Sequence, residues 1–600
     1  MAVFVMAMET PAAYALQFSK VVTLKDSKNL KFFCARSGSK SYVVTRNAKT
    51  KKYSSARDQV AVLKIKIKNA KGAVKKKLNA QLSALTARLS RQEKQCKGYF
   101  FPPKIVIPAT LNKITRALTR DDLQYFLDKA GFGLSAREES LVDLGMSSGI
   151  DAFVDEFMRQ KEEPSGLLSR VHDRLDGQLG NQTTQSPAGQ RAALLDLWIN
   201  TNNPFSEKFA LFMLSVWTLG GDVIADETFR GEFWRYYGKL KDAVVNDTPL
   251  ADLGVSITRD PLMLMYLNND LNKKGSPNEN YARELMELYT LGPVNLDGAA
   301  NYTETQPDGS GDIAVAAKML TGWKTQLNYS VNQITAQYDS SRHENGPHTM
   351  FAGKSYAFIG ENDEDLVRGI FNYHPGVAIY YSREILKEYL TPNPPRELVE
   401  SFAQVIQQSG FRLRIAMRVL FESEAFFSEQ FKDTLPTNPL EYGVKVSRIL
   451  GLFNGINANE AQRQIGNMGM QFNMSPSVFW YSQAGWLSPA SQLERANFVA
   501  QILDDSTALA GVSPAWSAAR VLPVGAATKA ELINYISDKI GVRNVNSSQR
   551  ATLNDYLSKK KEWNNTYSSF TYDNTNAAHQ KLKGLGVYYL QFLTPEFQLR

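Results

Sequence analysis

The chain has 600 residues, 43% of them hydrophobic and 22% charged, proportions that fit a folded protein of two or more domains. It contains no uncharged apolar run of about 18 residues, which argues against a membrane-spanning helix. The net charge of +9 is unevenly spread: residues 1–120 hold 26 Lys+Arg against 4 Asp+Glu, whereas residues 121–600 hold 43 against 56, so a basic head precedes an acidic body.

In chain order, Met1 to Ala15 are mostly apolar and small, and Ala13-Tyr14-Ala15 has the small-x-small form of a signal-peptidase site. Residues 1–15 therefore read as a signal peptide, with the chain exported to the periplasm, cell surface or medium. The leader lacks a basic start and Glu9 interrupts it, so either the true start lies upstream or this is a folded N-terminal segment. Cys34 and Cys96 have no metal-type spacing, and in an exported chain they are expected to pair. Closing that loop of about 60 residues is worth roughly 4 kcal/mol by chain entropy; in a cytosolic chain both would be thiols.

Residues 16–100 form a basic module. Val21–Leu24, Leu30–Phe33 and Ser41–Thr45 are β-prone runs between turn residues. From about 57 to 95, Val60, Leu63, Ile67, Ala70 and Val74 lead into Leu78, Leu82, Leu85 and Leu89 at three- and four-residue steps, a coiled-coil-like seam on one long helix. Lys64, Lys66, Lys68, Lys71 and Lys75-Lys76-Lys77 crowd its other positions. This is either a patch for an anionic partner, such as acidic polysaccharide, lipid head groups of the envelope surface or nucleic acid, or a solvated stalk whose seam packs on itself or on another chain. The chain shows no RNP, KH or zinc-finger pattern, which argues against nucleic acid. Residues 101–116 read as a linker.

Residues 117–600 carry helical periodicities with few alternating runs, so the fold class is mainly α. Helices are expected near 121–131, 149–161, 187–200, 206–219, 228–245, 277–291, 312–322, 376–391, 396–408, 438–451, 494–504 and 576–592. Residues 324–360, rich in Asn, Ser, Gly and Tyr, read as a long irregular loop with a short hairpin. Another break falls near 505–530.

The most regular stretch is Ser276–Gly292. Ser276 is expected to cap a helix with Pro277 at its first position, Glu279 completing a capping box and Gly292 ending it. At about 100° per residue, Glu279, Asn280, Arg283, Glu284 and Glu287 share one arc, opposite Tyr281, Ala282, Leu285, Leu288 and Tyr289. The charged arc is either a solvated face with ordinary i,i+4 pairs or half of a site.

The run Pro277-Asn278-Glu279-Asn280-Tyr281-Ala282-Arg283-Glu284-Leu285-Met286-Glu287-Leu288-Tyr289-Thr290-Leu291-Gly292 resembles the signature of a bacterial family known as domain of unknown function 1800. The resemblance spans roughly 117–600 and includes Asp128–Gly133, Tyr302-Thr303-Glu304, Met319–Trp323, Arg342–Gly346, Tyr373–Gly376, Ser475–Val478 and Leu593–Arg600. Many relatives carry Trp-His-x-His where this chain has Leu214 and Val216 at the histidine positions, and Tyr-Leu-Asp where it has Tyr266-Leu267-Asn268. If relatives use those positions for chemistry, this chain is a degenerate, pseudoenzyme-like member. The resemblance also implies a protein partner from a sulfatase-like family, domain of unknown function 1501.

Two functions follow as expectations. One is a non-catalytic binding or structural role on an anionic surface polymer or protein partner. The alternative is a metal-dependent or acid–base, hydrolase-like enzyme. In that case Glu279, Arg283, Glu284, His343, Glu344 and His374 would be the catalytic set, and Glu287, His343 and His374 would hold a divalent metal. No pair has a tight metal spacing, and a histidine before proline also serves in helix capping. Asp308-Gly309-Ser310-Gly311-Asp312 alternates oxygen side chains, but Ile313 and Met319 stand where a calcium loop needs Gly and Glu. A glycine-rich turn with Asp312 capping the next helix is the simpler reading.

Overall fold

A computed structural model describes residues 105–600 except 170, 172–186, 221–229, 294–310, 329–332, 454–455, 471–482, 505–520, 526 and 543–544, together with the backbone of four strands nearer the N-terminus. The chain divides into two units, Met1–Ile105 and Val106–Arg600.

In the first unit Lys20–Leu24, Phe32–Ser37, Lys40–Arg46 and Tyr53–Ser55 pair antiparallel in chain order. That is one strand more than the three runs visible in the sequence. The signal peptide (1–15), the coiled-coil-like helix (57–95) and Cys96 lie outside the described residues. Cys34 sits on the second strand, and its pairing with Cys96 rests on the sequence alone.

The second unit is mainly α. Arg120–Ala130, Pro187–Asn200 and Arg396–Gln408 match the periodicity within a residue. Others differ: Glu139–Met158 starts ten residues before the expected 149 and contains a break at Gly149 (φ +80). The broken period at that glycine hides the first half from a pattern search. Shorter helices at Leu250–Thr258, Asp363–Tyr373, Leu413–Phe421 and Lys529–Ile540 were not expected. The 324–360 stretch holds two antiparallel hairpins, Trp323–Asn328 with Gln333–Tyr338 and His348–Met350 with Phe358–Gly360. Among the described residues no helix is long and apolar enough to cross a membrane.

A phenylalanine cluster fills part of the core. The Phe126 ring lies 4.9 Å from Phe153, 5.1 Å from Phe157, 5.0 Å from Phe421 and 5.2 Å from Phe426, mostly edge-on, the arrangement favoured by the ring quadrupole. Beside the apolar core lies a buried charge cluster. Glu441 contacts Lys208 Nζ (3.2 Å) and Arg600 Nε (3.1 Å), while Arg600 Nη2 donates to Glu388 (2.8 Å). Lys129 Nζ donates to the carbonyls of Leu390 and Phe431 (2.5 and 2.6 Å).

Burial pushes the Glu388 carboxyl up to about 7 despite Arg600. Burial also opposes ionisation of Glu441, but Arg600 and Lys208 outweigh it and hold that carboxyl below its ordinary value. Lys208, desolvated and near Arg600, is pushed down to about 8. Five helices or segments distant in sequence are tied together here by ions that have left water.

Candidate functional site

Ser276 does not cap the signature helix. Its N–H donates to Lys273 (3.0 Å) in a tight turn with Gly275 at φ +76. That turn docks on the 340s loop: Lys274 N–H donates to Arg342 O (2.7 Å), Gly275 N–H to Glu344 Oε2 (3.4 Å), and Arg342 reaches Asp270 O (2.6 Å). Tertiary contacts therefore delay the helix to Asn280–Glu284, and no capping box forms with Glu279. Instead the Asn278 side chain accepts the Asn280 N–H (2.9 Å), and buried Asn272 accepts the Asn278 N–H (2.9 Å) while donating to Ala317 O (2.9 Å).

The helix continues as a π-helical turn, Leu285–Thr290, and ends at Gly292 with φ +81. The two faces are largely as expected. Glu279, Asn280 and Arg283 are exposed and Tyr281, Ala282, Leu285 and Tyr289 buried, but Leu288 is half-buried and Met286 and Thr290 take the inside. In the wider π turn each residue rotates less than the 100° of an α-helix, which shifts the later positions around the axis. Arg283 lies 3.5 Å from Glu279 and 3.7 Å from Glu287. These are solvated i,i+4 pairs worth about 0.2–1 kcal/mol. Burial, then the Glu287 charge, raises the Glu284 carboxyl above its ordinary value.

The inner face meets an aromatic, hydrogen-bonded wall. Trp217 stacks on Tyr289 (4.8 Å between centroids) and donates Nε1–H to Tyr381 (3.0 Å), whose hydroxyl donates to Tyr289 O (2.9 Å). Tyr380 donates to Leu288 O, Tyr236 to Trp217 O (2.7 Å), and the Thr258 and Tyr281 hydroxyls pair at 2.8 Å. Two carbonyls at the end of the π turn are thereby satisfied by the Gly376–Tyr389 helix, which a helix end otherwise leaves open. Leu214 and Val216 are buried apolar side chains in the helix that precedes Trp217. Asn268, exposed, adopts φ +56, a conformation open to Asn and Asp alike.

His343 is buried with a backbone carbonyl opposite each ring nitrogen: Thr321 O at 2.9 Å from Nδ1 and Glu361 O at 3.0 Å from Nε2. A nitrogen that donates to a carbonyl has no lone pair for an ion, but a neutral imidazole donates through one nitrogen only, and the Thr321 hydroxyl also lies 3.2 Å from Nδ1. Thr321 Oγ1 accepts the Glu344 N–H (2.8 Å). Gly322, at φ +106, lies where a Cβ would meet the Tyr338 ring at 2.7 Å, and only glycine fits both demands. Met319–Trp323 and Arg342–Gly346 thus form one joint.

His374 ends the Asp363–Tyr373 helix, and its Nδ1 accepts the Gly376 N–H (3.0 Å). The Phe351 and Tyr356 rings lie 4.8 and 4.3 Å away. Burial pushes this imidazole down from 6.5 to about 4. Because the folded value is depressed, the unfolded chain binds the proton first. The stabilisation is present above about pH 6.5 and is lost as pH falls toward 4, by on the order of 3 kcal/mol. His374→Asn, which keeps an acceptor for Gly376, is expected to flatten that part of the stability–pH curve measured by urea titration; an unchanged slope would count against His374 as its source.

Glu287, His343 and His374 form no metal group: among the described residues no three His, Cys, Asp or Glu side chains are placed to hold an ion. The structure joins Arg342 and Glu344 to the turn before the signature helix, at the backbone N–H groups of Lys274 and Gly275, and not to Glu279, Glu284 or Glu287. Asp308–Ser310, Tyr302–Glu304 and Ser475–Val478 lie outside the described residues. Asp312 does not cap its helix; Oδ1 accepts the N–H of Phe351 (2.7 Å), a residue at φ +53. The buried Glu388, Glu441, Lys208 and Arg600 cluster escaped sequence reasoning; its one signal is an ionisable residue inside an apolar stretch, as in Phe205–Phe212.

A family model described as "Protein of unknown function (DUF1800)" matches residues 125–599. No curated protein and no solved structure matches the chain significantly.

Proposed function

We propose, from the premise that the chain belongs to the DUF1800 family, that it is an exported envelope or extracellular protein with a non-catalytic binding or structural role. The observation that carries this reading is the use made of the motif side chains. His343 faces carbonyls at both nitrogens, His374 caps Gly376, and Lys129 and Arg600 bind inside the body. Side chains engaged in this way fasten elements together and do not converge on one reacting atom, as general acid–base or metal chemistry requires.

The basic head supplies the binding half of the proposal. Its lysine-rich stretch suits an anionic surface polymer such as acidic polysaccharide, by electrostatic attraction that salt weakens. A sulfatase-like protein partner is a further proposal, resting on family resemblance.

The test uses the full chain and a polyuronate, with neutral dextran as control. Binding to the polyuronate is expected at low salt, fading as salt rises, and severalfold weaker in a Lys75→Glu, Lys76→Glu, Lys77→Glu variant. Equal retention on both polymers, or none on either, would sink the proposal, and recovery of intact Met1 from cells would count against cleavage of a leader.

A further inference from the structure

Lys559–Lys561 and Tyr567–Ser569 form an antiparallel hairpin with Tyr567 opposite Lys561, Ser568 opposite Lys560 and Ser569 opposite Lys559. All three lysines are exposed. At the apex Trp563 is 94% exposed and Tyr567 66%, an unusual state for the two side chains with the most to gain from leaving water. The base, by contrast, is fixed. Lys583 Nζ donates to the carbonyls of Tyr556 and Lys559 (3.0 and 2.6 Å), Phe570 N–H donates to Ser558 O (2.7 Å), and Phe570 packs edge-on against His579 (4.7 Å).

The apex is preorganised as well. Glu562 N–H donates to Thr566 O (2.8 Å), Asn565 N–H to Glu562 O (3.0 Å) with Asn565 at φ +64, and Asn564 Oδ1 accepts from both the N–H and hydroxyl of Thr566 (3.1 and 2.7 Å). These turn groups are satisfied within the turn, so the tip can leave water without stranding them.

We infer that this hairpin is a docking element for an anionic lipid bilayer surface, with Trp563 entering the interface and Lys559, Lys560 and Lys561 meeting lipid phosphates. The register supports this layering. At about 3.3 Å per residue the lysines span a band roughly 7 Å deep behind the apex, close to the thickness of one headgroup layer. Tryptophan and tyrosine favour that interface, and lysines beside it attract anionic lipid.

The charges cancel only in part. Lys559 lies 2.7 Å from Asp555 and Lys560 3.9 Å from Glu562, so three lysines stand against two carboxylates and the hairpin with its flank keeps a small net positive charge. A glycan would call for a concave surface with ring faces and fixed polar partners along it, whereas here one indole stands on a projecting tip.

The experiment floats the full chain with vesicles of equal parts phosphatidylglycerol and phosphatidylcholine, alongside Trp563→Ala and Lys560→Glu/Lys561→Glu variants. Partition is expected to fall about tenfold on losing the indole and by at least about fivefold on reversing the lysines. Brominated acyl chains are expected to quench a part of the tryptophan emission that Trp563→Ala lacks. Matching thermal unfolding verifies that these exposed substitutions leave the fold intact. Absent flotation, or flotation and quenching equal in all three proteins, overturns the proposal; equal flotation assigns lipid binding to the basic head instead. Weakened binding of the variants to polyuronate without any change on vesicles also overturns it, in favour of a glycan.

Discussion

Glu441→Ala is expected to lower the free energy of unfolding by roughly 3–5 kcal/mol, the usual cost of removing one partner from buried charges. The carboxylate sits between Lys208 and Arg600 at 3.2 and 3.1 Å. Its loss leaves Lys208, which is 1% exposed, without its nearest counter-charge, while Arg600 keeps Glu388 (2.8 Å). Adding Lys208→Met removes the stranded ammonium, so the double variant should be more stable than the sum of its single costs predicts. Urea titration of all four combinations measures this. Strict additivity would show that the two side chains share no energetic coupling, and a Glu441→Ala cost below about 1 kcal/mol would remove the cluster from the account of stability.

Trp217→Ala is expected to cost about 3–5 kcal/mol as a buried aromatic truncation, and its consequence should be directional. The indole stacks on Tyr289 and holds the Tyr381 hydroxyl, which in turn holds the Tyr289 carbonyl. Amide exchange in the Leu285–Thr290 turn should therefore accelerate more than in Arg396–Gln408, which lies outside this network. Trp217→Phe keeps a six-membered ring for stacking but loses the pyrrole half with its donor, so its cost should fall between that of one hydrogen bond, about 1 kcal/mol, and that of the full truncation. Exchange that accelerates equally in both helices would refute a local backing role.

The helices were legible where apolar residues recur without interruption, as in Arg396–Gln408 and Pro187–Asn200. Short helices such as Leu413–Phe421 give too few turns to establish a period. Asp363–Tyr373 did carry a readable signal, since Asn362 caps it by accepting the N–H groups of Glu364 and Asp365 (3.0 and 3.1 Å) and three acidic residues follow. The two faces of the signature helix were visible as well, and its end at Gly292.

Its beginning was not, because Ser276 and Pro277 make a good local cap that docking on the 340s loop overrides. The histidines were visible as residue types, while their partners are carbonyls from positions 321 and 361 and an amide at 376. Backbone partners leave no trace in side-chain pattern. The charge cluster joins positions 129, 208, 388, 441 and 600, a proximity that only the folded chain creates.

The π turn has a consequence for how this stretch tolerates change. Tyr380 and Tyr381 hold the carbonyls of Leu288 and Tyr289 at fixed places along the neighbouring helix, and Gly292 must arrive where Arg383 and Tyr380 leave no room for a Cβ without displacement. Shortening the segment by one residue would let it close as ordinary α-helix, yet would carry both carbonyls out of register with their hydroxyls. Lengthening it would move Gly292 off its site. Exchanges at the water-facing Glu279 or Arg283 disturb neither constraint. Insertions and deletions between Glu284 and Gly292 should thus be far more damaging than substitutions on the charged face.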